Sequence, residues 1–179
     1  MLKNKKILIT GIANKFSIAY GIAKSMSKNG AELAFLYQNE RLLKKIKPLA
    51  EDLGVETLVE CDVSSDASIA KAFQAIKSKW GNIDGIVHSI GFAPTDQLEG
   101  DFTEVTTREG FQIAHDISSY SFTALAKAAL PILNENSALL TLTYLGSIQS
   151  LPNYNVMGLA KASLEANTCL LYTSPSPRD

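Results

Sequence analysis

A regular alternation of short apolar runs and longer amphipathic segments constrains this chain more than any other feature of its sequence. Five runs have the length and apolar content of buried parallel strands, at 5–11, 31–37, 55–63, 83–91 and 138–146. Five helices are predicted after them, at 17–29, 40–53, 66–80, 107–130 and 153–167. Parallel strands joined by such helices require right-handed crossovers and a sheet covered on both faces. The sequence therefore predicts an α/β fold with a doubly wound parallel sheet.

Composition narrows the class of protein. The chain has 179 residues, 46% hydrophobic and 20% charged, with a formal net charge of -1, which is typical of one soluble globular domain. This charge gives no electrostatic reason to expect nucleic acid, and no apolar stretch reaches the roughly 18 residues of a membrane span. Cys61 and Cys169 show neither metal-ligand spacing nor a disulfide framework. We therefore expect a cytoplasmic protein with no metal, no nucleic-acid partner and no membrane association.

The end of the sequence departs from the alternation. After Asn167 the chain reads TCLLYTSPSPRD, and its two prolines forbid a continuing helix. The run CLLYTSPSPRD is similar to a translated sequencing adaptor, so residues 168–179 are predicted to be a disordered, non-native tail. Residues 1–167 are then an incomplete NAD-binding domain whose C-terminal part is missing.

Ligands of such sheets bind at the carboxyl ends of the strands, and the first strand ends at Gly11. The turn that follows is not GxGxxG, but Gly11 permits a tight turn, and Ser17 with the free N–H groups of the helix start suits a pyrophosphate. An ordinary strand-to-helix loop with a capping serine is the alternative interpretation.

The next two strand ends also carry groups suited to a dinucleotide. Gln38 stands where an acidic residue usually binds the ribose, and this neutral amide favours NAD(H), while Arg41 keeps NADP(H) open. Asp62 and Val63 could hold the adenine edge through a carboxylate and a backbone amide. Alternatively, Asp62 is only a carboxylate near the next helix start.

Two histidines are assigned no chemistry. His88 and Ser89 are strand neighbours that point to opposite faces, so a packed or hydrogen-bonded histidine is expected. His115 lies inside a predicted helix.

Gly91, at the end of a predicted strand, lets the backbone approach a flat ring closely.

Two tyrosines and a lysine form the most suggestive group. Tyr144 is predicted to end strand five, and Tyr154 to open the next helix, with Lys161 seven positions later. Seven residues return to nearly the same helix face roughly 10 Å further along the axis, so a sugar-sized group could bridge the pair. A nearby ammonium also favours the charged form of a phenol, which would make Tyr154 a better proton donor. The alternative is a surface lysine and an interfacial tyrosine on an amphipathic helix.

Long runs of this sequence resemble the bacterial type I enoyl-acyl carrier protein reductases, a divergent branch of the short-chain dehydrogenase/reductase superfamily. The resemblance extends from residue 5 to residue 167. The shared runs are SIAYGIA, GAELAF, YQN, CDV, HSIGFAP, TREGF, IAHDISSYSF and PNYNVMGLAKASLEAN.

The resemblance implies a Rossmann-like fold and the NADH-dependent reduction of a trans-2-enoyl thioester on acyl carrier protein, the last step of each fatty-acid elongation cycle. Tyr154 would bind the thioester carbonyl and stabilise the enolate, and Lys161 would hold the nicotinamide ribose. Tyr144 would be the second active-site tyrosine, either positional or proton-donating, and Ala93 a substrate-side backbone contact. The positions implied to contact the cofactor are Gly11, Ser17, Ile18, Gln38, Asp62, Val63 and Ile90.

One spacing distinguishes this branch. Alcohol-oxidising relatives have a serine after strand five and a Tyr-x3-Lys pair, whereas this chain has Tyr144 and a Tyr-x6-Lys pair. Enoyl reduction is therefore favoured over a carbonyl-reducing dehydrogenase, and a non-catalytic nucleotide-binding module is the third interpretation.

Family members continue beyond the position of Asn167 with further strands and a substrate-covering helix. The sheet is therefore expected to be truncated after strand five and its following helix. Exposed apolar surface and weak or absent turnover are expected for this chain, and a homotetramer for the full-length family.

Overall fold

The structure is a computed structural model that describes residues 1–173. The chain divides into two compact units. The first comprises Met1–Ser89 with Ala126–Thr141, and the second Ile90–Leu125 with Leu142–Asp179. Neither unit ends at Asn167, so the predicted limit between a native domain and a non-native tail remains a prediction.

The first unit contains a five-stranded sheet in which every pair of neighbours is parallel. The strand order is β3-β2-β1-β4-β5, so the order reverses between β1 and β4, as in a Rossmann-like sheet. The predicted fold class is confirmed. The strands are β1 (Lys6–Thr10), β2 (Glu32–Tyr37), β3 (Thr57–Glu60), β4 (Ile83–His88) and β5 (Leu133–Thr141).

Three helices of this unit follow the strands at the predicted places. They are α1 (Ile18–Lys28), α2 (Glu40–Asp52) and α3 (Asp66–Trp80). The side chains of Asn39 and Ser65 accept backbone N–H groups of the first turns of α2 and α3, which satisfies donors that a helix start leaves unpaired. Small residues on α1, such as Ala19 and Ala23, belong to one buried cluster with Ile9 and Phe35 of the central strands.

Strand β5 corrects the prediction of a strand over 138–146. It begins at Leu133, directly after a 3-10 turn over Leu130–Ile132, and ends at Thr141. Residues 134–137 are polar, so the first half of β5 does not form an apolar run. They form an irregular stretch, since Ile83 pairs with Leu133 and Gly85 with Ala138, and such extra residues are typical of a β-bulge.

The second unit is helical. The predicted helix over 107–130 begins one residue later and is interrupted by a π turn, Asp116–Tyr120. Residues 92–106 contain a 3-10 turn at Thr95–Gln97 and a short helix. The helices are α4 (Phe102–Val105), α5 (Arg108–His115), α6 (Ser121–Ala129), which crosses the limit of the unit at Leu125, and α7 (Asn155–Thr173).

Helix α7 is longer than predicted. The expected end at Asn167 and the expected disorder of residues 168–173 are wrong, because α7 continues to Thr173. Residues 168–173 include no proline or glycine, and the first proline of the tail is Pro175. The remainder of the predicted disordered tail, 174–179, lies outside the described residues.

Both cysteines are free, Cys61 in the interior and Cys169 at the surface. Cys61 is a buried free cysteine, and burial followed by the charge of Asp62 raises the pKa of its thiol to about 12. Within residues 1–173, no group of three or more His, Cys, Asp or Glu side chains is arranged to hold a metal ion. None of the helices in that same part of the chain combines the length and the apolar character needed to cross a membrane.

Gly11, directly after β1, has no room for a side chain. Its φ is +81°, and an added Cβ would lie 1.8 Å from the carbonyl oxygen of Ser89. Gly54 offers a matched control, because its φ is +66° but an added Cβ would have open space. We expect Gly11→Ala to lower the free energy of unfolding by about 3 kcal/mol or more, through backbone strain plus steric overlap. Gly54→Ala should cost only about 1 kcal/mol. Urea denaturation of both variants checks this, and equal losses would contradict the close approach.

Candidate active site

A sharp turn places Tyr154 immediately before α7. Asn153 has φ 58° and Asn155 has φ 20°, and asparagine tolerates the left-handed region better than most residues. The carbonyl of Tyr154 accepts the N–H of Met157 at 2.8 Å, which begins the helical turn. Tyr154 therefore opens the helix as predicted, although the regular helix begins at the next residue, Asn155.

The two tyrosines of the predicted site are in contact. The ring centroids of Tyr144 and Tyr154 are 5.0 Å apart, with planes inclined by 65°, an edge-to-face arrangement that aromatic rings prefer. A Cβ at Gly146 would lie 2.3 Å from the Tyr154 ring, so the ring occupies the space that glycine leaves. Tyr144 does not end strand five as predicted. It precedes a 3-10 turn over Leu145–Ser147 and is 55% exposed.

Lys161 is a buried lysine held by backbone carbonyls. Its side chain is 7% exposed, and Nζ donates to the carbonyl oxygens of Leu142 at 2.9 Å and Ile90 at 3.3 Å. An ammonium has three N–H donors, so one remains for a ligand hydroxyl. Burial lowers the pKa of Lys161. The alternative of a surface lysine is therefore wrong.

The electrostatic expectation for Tyr154 needs correction. The sequence predicted that the Lys161 ammonium would favour the charged phenolate. Instead the pKa of Tyr154 is raised, first by burial and then by the neighbouring Tyr144. The half-buried phenol therefore keeps its proton around pH 7, and its O–H can donate a hydrogen bond.

The segment from Ile90 to Ala93 lies beside Lys161. A Cβ added to Gly91 would lie 3.4 Å from Cε of Met157 and 3.5 Å from Nζ of Lys161. Ala93 is buried and belongs to a small apolar cluster with Met157, against which Tyr154 packs. The second unit thus brings together five of the predicted site residues: Ile90, Ala93, Tyr144, Tyr154 and Lys161.

The first unit carries the six other predicted site residues, each after a strand of one parallel sheet. Ser17 precedes α1 but makes no capping bond with its side chain. Its Oγ accepts the N–H groups of Ala13 at 3.0 Å and Asn14 at 3.1 Å, which leaves its own proton to donate. Ile18 is 68% exposed at the helix start. A free hydroxyl proton beside a helix N-terminus and a glycine turn fits a pyrophosphate.

Gln38 and Asp62 differ in the number of hydrogen bonds that they form within the protein. Gln38 follows β2, and its Oε1 accepts from Asn39 Nδ2 at 3.4 Å, at the surface. Asp62 Oδ1 accepts both the N–H and the hydroxyl of Ser64, and its own N–H donates to Ser68 Oγ. This local turn agrees with the structural alternative for Asp62. The cofactor contacts of Gln38, Asp62 and Val63 therefore remain predictions.

The two histidines are both engaged in contacts within the fold. His88 is fully buried, and its Nδ1 lies 2.8 Å from Thr141 Oγ1. The prediction of a packed, hydrogen-bonded histidine is confirmed. His115 stacks on the ring of Phe111 with centroids 4.0 Å apart.

Known proteins share both this sequence and this fold. Residues 11–172 match a family described as enoyl-(acyl carrier protein) reductase. The chain belongs to this family. The NADH-dependent enoyl-[acyl-carrier-protein] reductase FabI of Escherichia coli is 57% identical over 98% of this chain and 67% of its own length. The FabI reductase of Haemophilus influenzae is 54% identical over 93% of this chain and 64% of its own length.

Solved structures of family members agree. The NADH reductase from Aquifex aeolicus has a TM-score of 0.92 at 46% identity, over 95% of this chain and 68% of that one. The reductase from Anaplasma phagocytophilum, solved in complex with NAD, has the same TM-score at 40% identity, over 95% of this chain and 64% of that one. The chain therefore spans about two thirds of the length of these reductases.

Glu165 is a residue of this reductase site that sequence reasoning missed. Its Oε1 accepts hydrogen bonds from Thr143 Oγ1 and Ser147 Oγ, both at 2.5 Å. These two bonds lower the pKa of Glu165. They also fasten both sides of the loop that carries Tyr144. The available signal was the spacing of four from Lys161, which places Glu165 on the same face of α7.

Tyr154 should be a late-titrating tyrosine of this reductase chain. Because burial raises its pKa, Tyr154→Phe should remove one increment of absorbance near 295 nm that appears only above about pH 10. The folded state disfavours the phenolate, so this group should also lower stability as the pH rises beyond about 10. The exposed Tyr172→Phe is the control for the loss of one phenol. Loss of an increment below about pH 10 in the Tyr154 variant would contradict the assigned environment.

Proposed function

We propose that this chain has the chemistry of an NADH-dependent enoyl-(acyl carrier protein) reductase that acts in fatty-acid elongation. The observation that carries the proposal is the group of Tyr144, Tyr154 and Lys161. The neutral phenol of Tyr154 lies against the phenol of Tyr144, immediately before the helix that bears the buried ammonium of Lys161. The named activity of the related reductases supports the same conclusion.

Tyr154 is the proposed donor to the substrate. Reduction of an enoyl thioester places negative charge on the carbonyl oxygen, and a positioned O–H donor is strongest where such charge develops. The raised pKa of Tyr154 keeps the proton on its oxygen at neutral pH. Tyr144 supports the orientation of this ring by its edge-to-face contact and is the second phenol available to the site.

Lys161 and the strand ends are the proposed cofactor contacts. NADH supplies the hydride that adds to C3 of the enoyl group. Lys161 would donate its remaining N–H to a ribose hydroxyl, and the Ser17 hydroxyl to the pyrophosphate. Gln38 would contact the adenosine ribose, and the NADH dependence that the names of the relatives state supports NADH over NADPH. The further proposed contacts are Gly11, Ile18, Asp62, Val63 and Ile90 for the cofactor and Ala93 for the substrate.

The proposal extends to the substrate carrier, the location and the oligomeric state of the protein. The substrate would be an enoyl thioester carried on acyl carrier protein, as the names of the relatives state for those proteins. We propose a cytoplasmic enzyme, homotetrameric in its full-length form, with no nucleic-acid or membrane partner. A formal net charge of -1 supports the proposal that nucleic acid is not a partner.

Single-turnover kinetics test the proposal directly. Excess chain is mixed with NADH deuterated at the transferred position and with a crotonyl thioester, and the product is analysed by mass spectrometry. We expect butyryl thioester with deuterium at C3, formed more slowly than by a full-length relative, because weak turnover is predicted for this chain. Tyr154→Phe should lower the rate constant about 100-fold, because it removes one donor to the developing oxyanion.

The exposed Tyr172→Phe is the matched control and should leave the rate unchanged. Reduction of a 3-ketoacyl thioester in place of the enoyl thioester would show a carbonyl reductase. Saturable NADH binding with no product would show a nucleotide-binding module. Either outcome would refute enoyl reduction by this chain.

A further inference from the structure

The π turn Asp116–Tyr120 contains two consecutive buried serines. Ser118 is 0% exposed and Ser119 is 2% exposed. π turns within helices are frequent at functional sites, yet neither serine belongs to the site described above. The two hydroxyls have different hydrogen-bond partners, which indicates different roles for the two serines.

Ser118 holds both polar groups of one backbone residue. Its Oγ accepts the N–H of Phe92 at 2.9 Å and donates to the carbonyl oxygen of Phe92 at 2.9 Å. It also lies 3.6 Å from Sδ of Met157 on α7. The Phe92 side chain is 54% exposed, so the backbone clasp rather than packing of the ring fixes this residue.

The clasped residue lies in the middle of the segment that meets Lys161. Ile90, two residues earlier, accepts from Lys161 Nζ through its carbonyl at 3.3 Å. Gly91 lies between Ile90 and Phe92, and a Cβ added to Gly91 would lie 3.5 Å from Lys161 Nζ. Ala93, the next residue, is the proposed substrate-side contact. A shift of the Phe92 backbone therefore moves the carbonyl that orients the ammonium.

We propose that Ser118 is a positioning residue that sets the Ile90–Ala93 segment against Lys161 and so fixes the geometry in which NADH is bound. The inference rests on the proposed function, because it concerns the cofactor of that reaction. Ser118 does not touch the reacting atoms. It acts through the backbone of Phe92.

Ser119 provides a matched control on the same turn. Its Oγ lies 2.7 Å from Ser163 Oγ and accepts from Asn167 Nδ2 at 2.8 Å. Both partners lie on α7 beyond Lys161, where the backbone bonds of the helix hold their positions. Removing either buried hydroxyl leaves buried partners unpaired, so both variants should lose stability.

The experiment compares Ser118→Ala, Ser118→Thr and Ser119→Ala in the full 179-residue chain. NADH affinity is measured by calorimetric titration, and exchange of the Phe92 amide by nuclear magnetic resonance. We expect Ser118→Ala to weaken NADH about tenfold and to accelerate exchange of the Phe92 amide. Ser118→Thr keeps the hydroxyl and should recover most of both effects. Ser119→Ala should stay within twofold of the parent affinity, with the Phe92 amide as protected as before.

Two results would overturn the inference alone. One is unchanged NADH affinity in Ser118→Ala despite faster Phe92 exchange. The other is an equal loss of affinity in the two alanine variants, which would show a general structural effect. Absence of saturable NADH binding by the parent chain would instead overturn the proposed function, and the inference with it.

Discussion

The buried ammonium of Lys161 is the interaction on which the arrangement of the second unit depends. A charge removed from water is costly unless hydrogen bonds replace its hydration, and here the carbonyl oxygens of Leu142 and Ile90 do so. One ammonium therefore fixes three pieces of chain: α7, the residues after β5 and the residues after β4. The same burial keeps Lys161 in place for a ligand, because two of its donors are already satisfied.

Supporting contacts surround this ammonium on each side. Gly146 leaves room for the Tyr154 ring, Glu165 fastens the loop that carries Tyr144, and Ser118 fastens the segment that carries Ile90. Each is a small or polar residue whose effect is geometric. Preorganisation of this kind is what electrostatic catalysis requires, since donors fixed before reaction pay no reorganisation cost when charge develops.

The sequence predicted the sheet from a local signal, and it predicted a site at Tyr144, Tyr154 and Lys161 whose roles remain proposals. Apolar periodicity gave the strands, and helix spacing placed Tyr154 and Lys161 on one face. It missed the first half of β5, since residues 134–137 are polar and the pairing with β4 is irregular there. It also misjudged the direction of the Tyr154 pKa shift, because burial is a tertiary property that the sequence does not reveal. Ser118 could not be assigned, because its partner Phe92 is distant in sequence. Helix spacing places Glu165 on the Lys161 face of α7, but it does not reveal the bonds of Glu165 to Thr143 and Ser147.

The most direct test of the central claim is the NADH affinity of Lys161→Met, measured by calorimetric titration beside the parent chain. The substitution keeps an unbranched side chain of similar length but removes every N–H donor, and circular dichroism confirms that the variant is folded. If Lys161 holds the cofactor ribose, the affinity should fall by tenfold or more, as expected for loss of a charge-assisted hydrogen bond. A folded variant that binds NADH as tightly as the parent would contradict the assignment of this lysine to the cofactor.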